Sequence, residues 1–176
     1  MGLNNFYGVL WMENYTKQQT VNLVKYEERF EKDLLSFELP LDQAQFTGMP
    51  REMLQDEQIN KNKIPVVIES AGEAVGFFLL NKGERVKEYS DNPHAYLLSA
   101  FSINEKQQGK GYAKQGLLLL KDYMKVYFPE CDEVVLGVNH KNIAAQQVYL
   151  KTGFIDKGFR KIGKLGEQFI LHLQIK

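Results

Sequence analysis

Between residues 94 and 138 the chain reads HAYLLSAFSI, then YAKQGLLLLKDYMKVYF, then EVVLGV. The first run has the apolar alternation of a strand. The second places Ala113, Leu117, Leu120, Met124 and Tyr127 at three- and four-residue steps, the period of a helix, and Pro129 ends it. The third is short and almost continuously apolar, as in strands buried on both faces. A strand, a helix and a strand in immediate succession close as a parallel pair with a crossover, almost always right-handed. Elsewhere the pattern is antiparallel. IPVVIE and AVGFFLL flank a turn from Ser70 to Glu73, and strands over residues 154–160 and 168–174 flank a glycine-containing turn. The expected fold class is therefore α/β: a mixed sheet with helices on its faces.

VNLVKY, residues 21–26, reads as a first strand, and EERFEKDLLSF as a helix carrying Phe30, Leu34 and Phe37. From 38 to 63 the chain is polar and broken by Pro40, Gly48 and Pro50, with one short helix in PREMLQD. Such a segment over a core often shapes a substrate pocket. NKGERVKEYSDNP reads as a loop, and HKNIAAQQVYLKTGF as a helix closed by Gly153. With 176 residues, 44% of them hydrophobic, one domain over 21–176 can close a core, and residues 1–20 are expected to be a disordered extension. Met12 is an alternative start to Met1.

Charge and cysteine content exclude several classes of function. Twenty-two basic side chains balance 22 acidic ones, which gives no support to a nucleic-acid grip built on excess Lys and Arg. FYGVLWM is far shorter than the ~20 apolar residues of a membrane span, so no membrane partner is expected. The single cysteine, Cys131, has no partner for a disulfide and no metal-ligand spacing around it, which fits a reducing cytoplasm and no metal.

The join between the strand and the leucine-rich helix reads QGKGYA, residues 108–113. Free amides and the positive end of the helix dipole concentrate there, and glycines let an anion approach without a Cβ in the way. Lys110 adds a positive charge. A Walker loop fails, because no glycine stands five places before Gly109 and Gly111 follows Lys110 where Ser or Thr is required. A dinucleotide fingerprint fails too, because Lys114 takes the place of its third glycine and Asp132 and Glu133 precede the next strand. An ordinary glycine-rich turn remains the alternative.

A second motif follows the next strand: VNHKNIAAQQVYLKTGF, residues 138–154. Gln108, Gly111 and Ala113 in the pattern Q/R-x-x-G-x-G/A, followed by Asn139, Asn142, Ala145, Tyr149, Gly153 and Phe154, resemble the GNAT superfamily of N-acetyltransferases. The resemblance covers roughly residues 64 to 175. It implies a mostly antiparallel twisted sheet of six to seven strands with one splayed parallel pair and helices on both faces. It also implies acetyl-CoA as cosubstrate in the gap between the parallel strands. Backbone groups near Phe101 and Ile103 would meet the pantetheine, and the amides of Gln108, Gly109, Lys110, Gly111, Tyr112 and Ala113 would hold the pyrophosphate. Asn142 would lie near the pantetheine, and as a favoured helix N-cap it can serve both roles.

The implied reaction is attack of a neutral amine on a thioester. An amine with a lysine-like pKa of about 10.4 is neutral in only about one molecule in 2,500 at pH 7, a deficit of roughly 4.6 kcal/mol, so a base or a desolvating pocket must help. Proton transfer from a phenol near 10 to a thiolate whose acid is near 8.5 runs uphill by roughly 2 kcal/mol. Tyr149 is therefore expected to donate a hydrogen bond to charge developing on sulfur, although a tyrosine beside Val148 and Leu150 also suits a core position. Polyamine acetyltransferases carry a carboxylate two residues before the position of Phe101; here that residue is Ser99. Glu69, His94, Tyr96 or a water relay must replace it, with the relay preferred. His94, His140 and His172 stand singly and read as surface or structural residues.

LPLDQAQFTGMP resembles the segment before the second strand in diamine and spermidine acetyltransferases, which implies a small, polyamine-like amine as acceptor. Gln43, Gln45 and Phe46 are also ordinary loop residues, and the acids between 52 and 57 suit either a cationic amine or a solvated face. Two alternatives stand beside this reading: a peptide or protein acceptor, and a CoA-binding sensor without catalysis. Family members often pair through their last strands, which implies a homodimer.

Overall fold

The computed structural model describes residues 20–56, 59 and 61–176; the expected extension over residues 1–20 lies outside them up to residue 19. Seven strands form one sheet: β1 (Val21–Lys25), β2 (Lys63–Ser70), β3 (Glu73–Asn81), β4 (Ala95–Ile103), β5 (Glu133–Asn139), β6 (Ile155–Gly163) and β7 (Gly166–Gln174). Their spatial order is β1-β2-β3-β4-β5-β7-β6. Every neighbouring pair is antiparallel except β4 and β5, the two strands joined by the expected crossover. The helices are α1 (Glu31–Leu35), α2 (Leu41–Ala44), α3 (Pro50–Met53), α4 (Tyr112–Tyr127) and α5 (Ile143–Lys151).

The helices divide between the two faces by the direction of their apolar side chains. On the first face Leu117, Leu120 and Met124 of α4 and Tyr149 of α5 pack with Ile68, Phe78, Leu98, Val134 and Leu136. Gly116 allows this: a Cβ there would lie 2.8 Å from Ile68 Cδ1, so α4 settles onto β2 only with a hydrogen at that position. On the second face Phe30, Leu34 and Phe37 seal Val67, Phe77 and Leu79 under the 28–54 segment. Further along the same face, Val86 covers Ala95, Leu97 and Val135. Ser99 stands between these two second-face clusters along β4.

Two local differences from the sequence reading have simple causes. The helix expected over 27–37 is a 3-10 turn, Glu28–Phe30, running into one short turn of α-helix, because Phe30, Leu34 and Phe37 need only that length to reach the sheet. The 38–63 segment carries two short helices, α2 and α3; each follows or starts with a proline, whose fixed φ suits a first helical turn.

The parallel pair is brief. Only Ala95, Tyr96 and Leu97 pair with Glu133, Val134 and Val135, and beyond them β4 and β5 part. On the other side of β4, the register with β3 slips between Phe77 and Leu79, so Ala100 and Phe101 both fall opposite Phe78. Ala100 takes a positive φ of 54°, which marks a bulge. The bulge bends β4 away from β5. Asn104 N donates to Val75 O at 3.1 Å. By strand alternation the main-chain groups of Phe101 and Ile103 therefore point into the gap.

Ala100→Val should lower the free energy of unfolding by about 1–3 kcal/mol, since a β-branched side chain is poorly tolerated at positive φ. Ala100→Gly should stay within about 1 kcal/mol of the parent. Urea denaturation of both variants checks this.

Candidate active site

The gap is floored by β4 and β5 and edged by two loops that the sequence singles out. At the start of α4, Gly109 (φ 76°) and Gly111 (φ 81°) hold the chain in the left-handed region. No side chain caps Gly111, and the first intrahelical bond runs from Gln115 N to Gly111 O at 3.0 Å. Among the described residues none accepts from the amides of Gly109, Gly111 or Ala113. A Cβ built on Gly109 would meet nothing within 4 Å. Unpaired amides, open space and the helix dipole together make a place that suits an anion.

The side chains of this loop do other work. Gln108 donates through Nε2 to Ile103 O at 3.0 Å and to Gln43 Oε1 at 2.9 Å, while Gln43 Nε2 donates to Gln108 Oε1 at 3.1 Å. Lys110 Nζ is exposed and donates to Gln107 at 2.7 Å. Tyr112 is buried in the first-face core, and Ala113 packs against that core. The reciprocal amide pair of Gln43 and Gln108 ties the 38–54 segment to the glycine loop. Thr47 Oγ1 adds a bond to Phe101 O at 3.3 Å, and Glu105 N donates to Glu38 O at 2.9 Å. The sequence marks Gln43 as part of the 39–50 segment or as an ordinary loop residue; no local signal pairs it with Gln108.

Across the gap, Tyr149 on α5 meets Phe101 edge to face, with ring centroids 6.0 Å apart, and Phe154 at 5.6 Å. The residue is 8% exposed, and its hydroxyl makes no hydrogen bond to a described residue. Burial pushes its pKa well above the usual tyrosine value, so the ring stays a protonated donor. Asn142 caps α5 by accepting from Ala145 N at 3.2 Å. The first asparagine of the motif, Asn139, instead donates to Leu165 O at 3.0 Å and accepts from Lys141 N at 2.9 Å, which fastens the end of β5 to the β6–β7 turn.

The carboxylate absent at Ser99 has no substitute at the gap among the residues named to replace it. Glu69 bonds Asn22 and Gly72 N near the β2–β3 turn. His94 is exposed ahead of β4. Tyr96 lies where β4 and β5 are still paired, with its hydroxyl on Glu130 at 2.5 Å. Ser99 itself accepts from Asn81 Nδ2 at 2.8 Å, which leaves its own hydrogen free to donate. Asn81 is buried and also donates to Leu97 O at 2.9 Å. Of the acids at 52–57, Asp56 is ion-paired with Lys63, and Glu57 lies outside the described residues.

His172 takes the structural of the two roles read for it. It is buried beside Glu133, Nδ1 to Oε1 at 3.0 Å, at the paired end of the sheet. Burial pushes the Glu133 carboxyl up, but hydrogen bonds from Lys157, His172 and Ser90 outweigh it and hold the group below the usual range. The cluster braces β5, β6 and β7 away from the gap.

A seven-stranded sheet with one parted parallel pair, amides at a helix start and a buried tyrosine across the opening defines the fold of an N-acetyltransferase of the GNAT type. The family model for the acetyltransferase (GNAT) family matches residues 28–154, and the chain belongs to this family of acetyltransferases. It is 46% identical over 155 residues to the uncharacterized N-acetyltransferase YbbJ of Bacillus subtilis, covering 88% of this chain and 97% of that one. It is 26% identical over 121 residues to the spermine/spermidine N(1)-acetyltransferase of the same organism, covering 69% and 78%. Among solved structures, the aminoglycoside acetyltransferase AAC(6')-Ib in complex with coenzyme A and kanamycin superposes with a TM-score of 0.70 at 16% identity, covering 88% of this chain and 95% of that chain. A chimera of spermidine N-acetyltransferase SpeG from Vibrio cholerae gives 0.63 at 18%, covering 88% and 95%. No described helix is long and apolar enough to cross a membrane.

The buried Tyr149 generates a pH prediction. Its folded-state pKa lies above the unfolded value near 10, so the folded chain keeps a proton that the unfolded chain releases. That stability is fully present below pH ~10 and is lost above it, at up to about 1.4 kcal/mol per pH unit. Urea denaturation at pH 9 and pH 11 should show a smaller loss for Tyr149→Phe than for the parent protein.

Proposed function

We propose that this chain transfers an acetyl group from acetyl-CoA to a small, polyamine-like primary amine across the gap between β4 and β5. The observation that carries the reading is the early parting of these strands, three residue pairs after they meet, with an amide-lined helix start on one side and a buried tyrosine on the other. Family membership makes acetyl-CoA the cosubstrate, and its thioester supplies the acyl group that the amine attacks. The amides from Gly109 to Ala113 take the diphosphate, with Lys110 adding charge; Gln108, whose own N–H donates to Glu105 O at 3.1 Å, fixes the loop through its side chain instead of offering its amide. The inward-facing main chain of Phe101 and Ile103 takes the pantetheine, and Asn142 stands beside it at the start of α5.

Tyr149 donates a hydrogen bond to the negative charge that grows on the leaving sulfur. Its raised pKa suits this role, because a phenol held above its ordinary value keeps its proton and stabilises charge without giving the proton up. On the other side, Ser99 holds a water through its free hydroxyl hydrogen and second lone pair, with Asn81 fixing the oxygen, and that water relays the proton lost by the amine. A water relay is a weak base, so desolvation of the amine between the two second-face clusters contributes the rest.

The polyamine-like acceptor is supported by the spermine/spermidine relative and by the 39–50 segment. Residues 21–176 act as a single N-acetyltransferase domain. The buried, unpaired Cys131 suits the cytoplasm, and the exposed edge strand β6, with Ile155, Phe159 and Ile162, suits pairing into a homodimer.

Thiol release from acetyl-CoA, measured against a panel of spermidine, aminoglycosides and peptides, tests the acceptor. Turnover with spermidine supports the reading; turnover with peptides alone, or coenzyme A binding without turnover, replaces it. Tyr149→Phe should lower kcat by roughly 100- to 1,000-fold, the range for losing one such donor, while calorimetry shows little change in coenzyme A affinity. An unchanged kcat would return Tyr149 to the core.

A further inference from the structure

On the second face, Lys161, Glu88 and Tyr89 meet beside the place where β4 and β5 part. Lys161 on β6 pairs with Gln168 on β7, which pairs with Asn139 on β5, so the three residues share one face with Gly137. Tyr89 reaches the same spot from the 84–90 segment: a Cβ on Gly137 would lie 2.9 Å from its Cε1. Gly137 lies two residues past Val135, the last residue of β5 paired with β4. The Lys161 ammonium sits 4.6 Å from the centroid of the Tyr89 ring and forms an ion pair with the Glu88 carboxylate. A carboxylate and an aromatic face on one ammonium are the elements of an amine receptor. Here the receptor already holds an amine, but one supplied by the chain.

We propose that Glu88 and Tyr89 form the subsite for a second ammonium of a diamine or polyamine acceptor, and that Lys161 is a tethered competitor that fills it until the acceptor arrives. The Lys161 side chain is 25% exposed and that of Glu88 57%, so solvent and ligand reach the pair from the open side. The Gln168 side chain lies between this pair and the gap; Cβ atoms on Gly137 and Gly163 would both fall within 3.0 Å of it, and it makes no hydrogen bond to a described residue. Its amide is left to orient the acceptor between the two amines. A tethered competitor raises the acceptor concentration needed for half-saturation without touching the chemistry at the gap. The inference rests on the small-amine reading above.

The test compares putrescine with butylamine, which has the same chain and one amine, on the full-length protein with acetyl-CoA. Lys161→Met keeps the stem and removes the charge. It should raise kcat/KM for putrescine by about tenfold through KM, with butylamine changed by less than about twofold. Glu88→Gln in the Lys161→Met background should reverse the putrescine gain and leave butylamine alone. An equal shift for both amines, or an unchanged ratio, overturns the subsite while leaving the acetyltransferase reading intact. Absence of turnover with every amine overturns both. Circular dichroism of each variant separates a folding defect from a change in recognition, and a folded Lys161→Met protein with no change in ratio counts against the proposal.

Discussion

The structure depends on a β-ladder that stops. β4 and β5 exchange pairing over three positions and then separate, although both strands continue for several residues. Main-chain groups inside a protein are costly to leave unpaired, so such a gap persists only where the surroundings supply other partners. Here the partners are side chains. Gln108 takes the carbonyl of Ile103 and Thr47 that of Phe101, and the bulge at Ala100 turns the strand so that these groups face the opening. The gap is thus held open by contacts from the 38–54 segment and the glycine loop, the same two segments that border it.

Those contacts also connect the two halves of the site. The paired amides of Gln43 and Gln108 join the loop proposed for the diphosphate with the segment proposed for the acceptor. On the first face the Tyr149 hydroxyl, like that of the buried Tyr123, has no hydrogen-bond partner among the described residues. The second face has the opposite character: Asn81, Ser99, Gln168, Tyr89, Glu88 and Lys161 make it polar and charged between two apolar clusters. A thioester needs a dry, preorganised donor and an ammonium needs counter-charge and a place to lose a proton. The two faces of the parted sheet match that division.

Much of the architecture was legible because it is coded at short range. Leu117, Leu120 and Met124 announce α4 by their period, and Gly109 and Gly111 announce an uncapped helix start. The carboxylate question was legible only as an absence at Ser99. What lies around Ser99 was not, because Asn81 reaches it from the far end of another strand, 18 residues away. Asp56 looked available for a cationic acceptor and proves to be paired with Lys63. His172 looked solitary and proves to be buried against Glu133, 39 residues earlier. In each case the partner is a residue of no local distinction brought close by strand order.

By itself, then, the sequence determined the crossover, the parallel pair and the amide-rich helix start, since periodicity, prolines and glycines act on the residues beside them. Only the tertiary structure decided where β4 and β5 separate and which carboxylates are answered by a lysine. Lys161 and Glu88 are 73 residues apart, and Gln43 and Gln108 are 65 apart. Contacts over such separations are set by how seven strands align, a property of the whole sheet that no window of sequence contains.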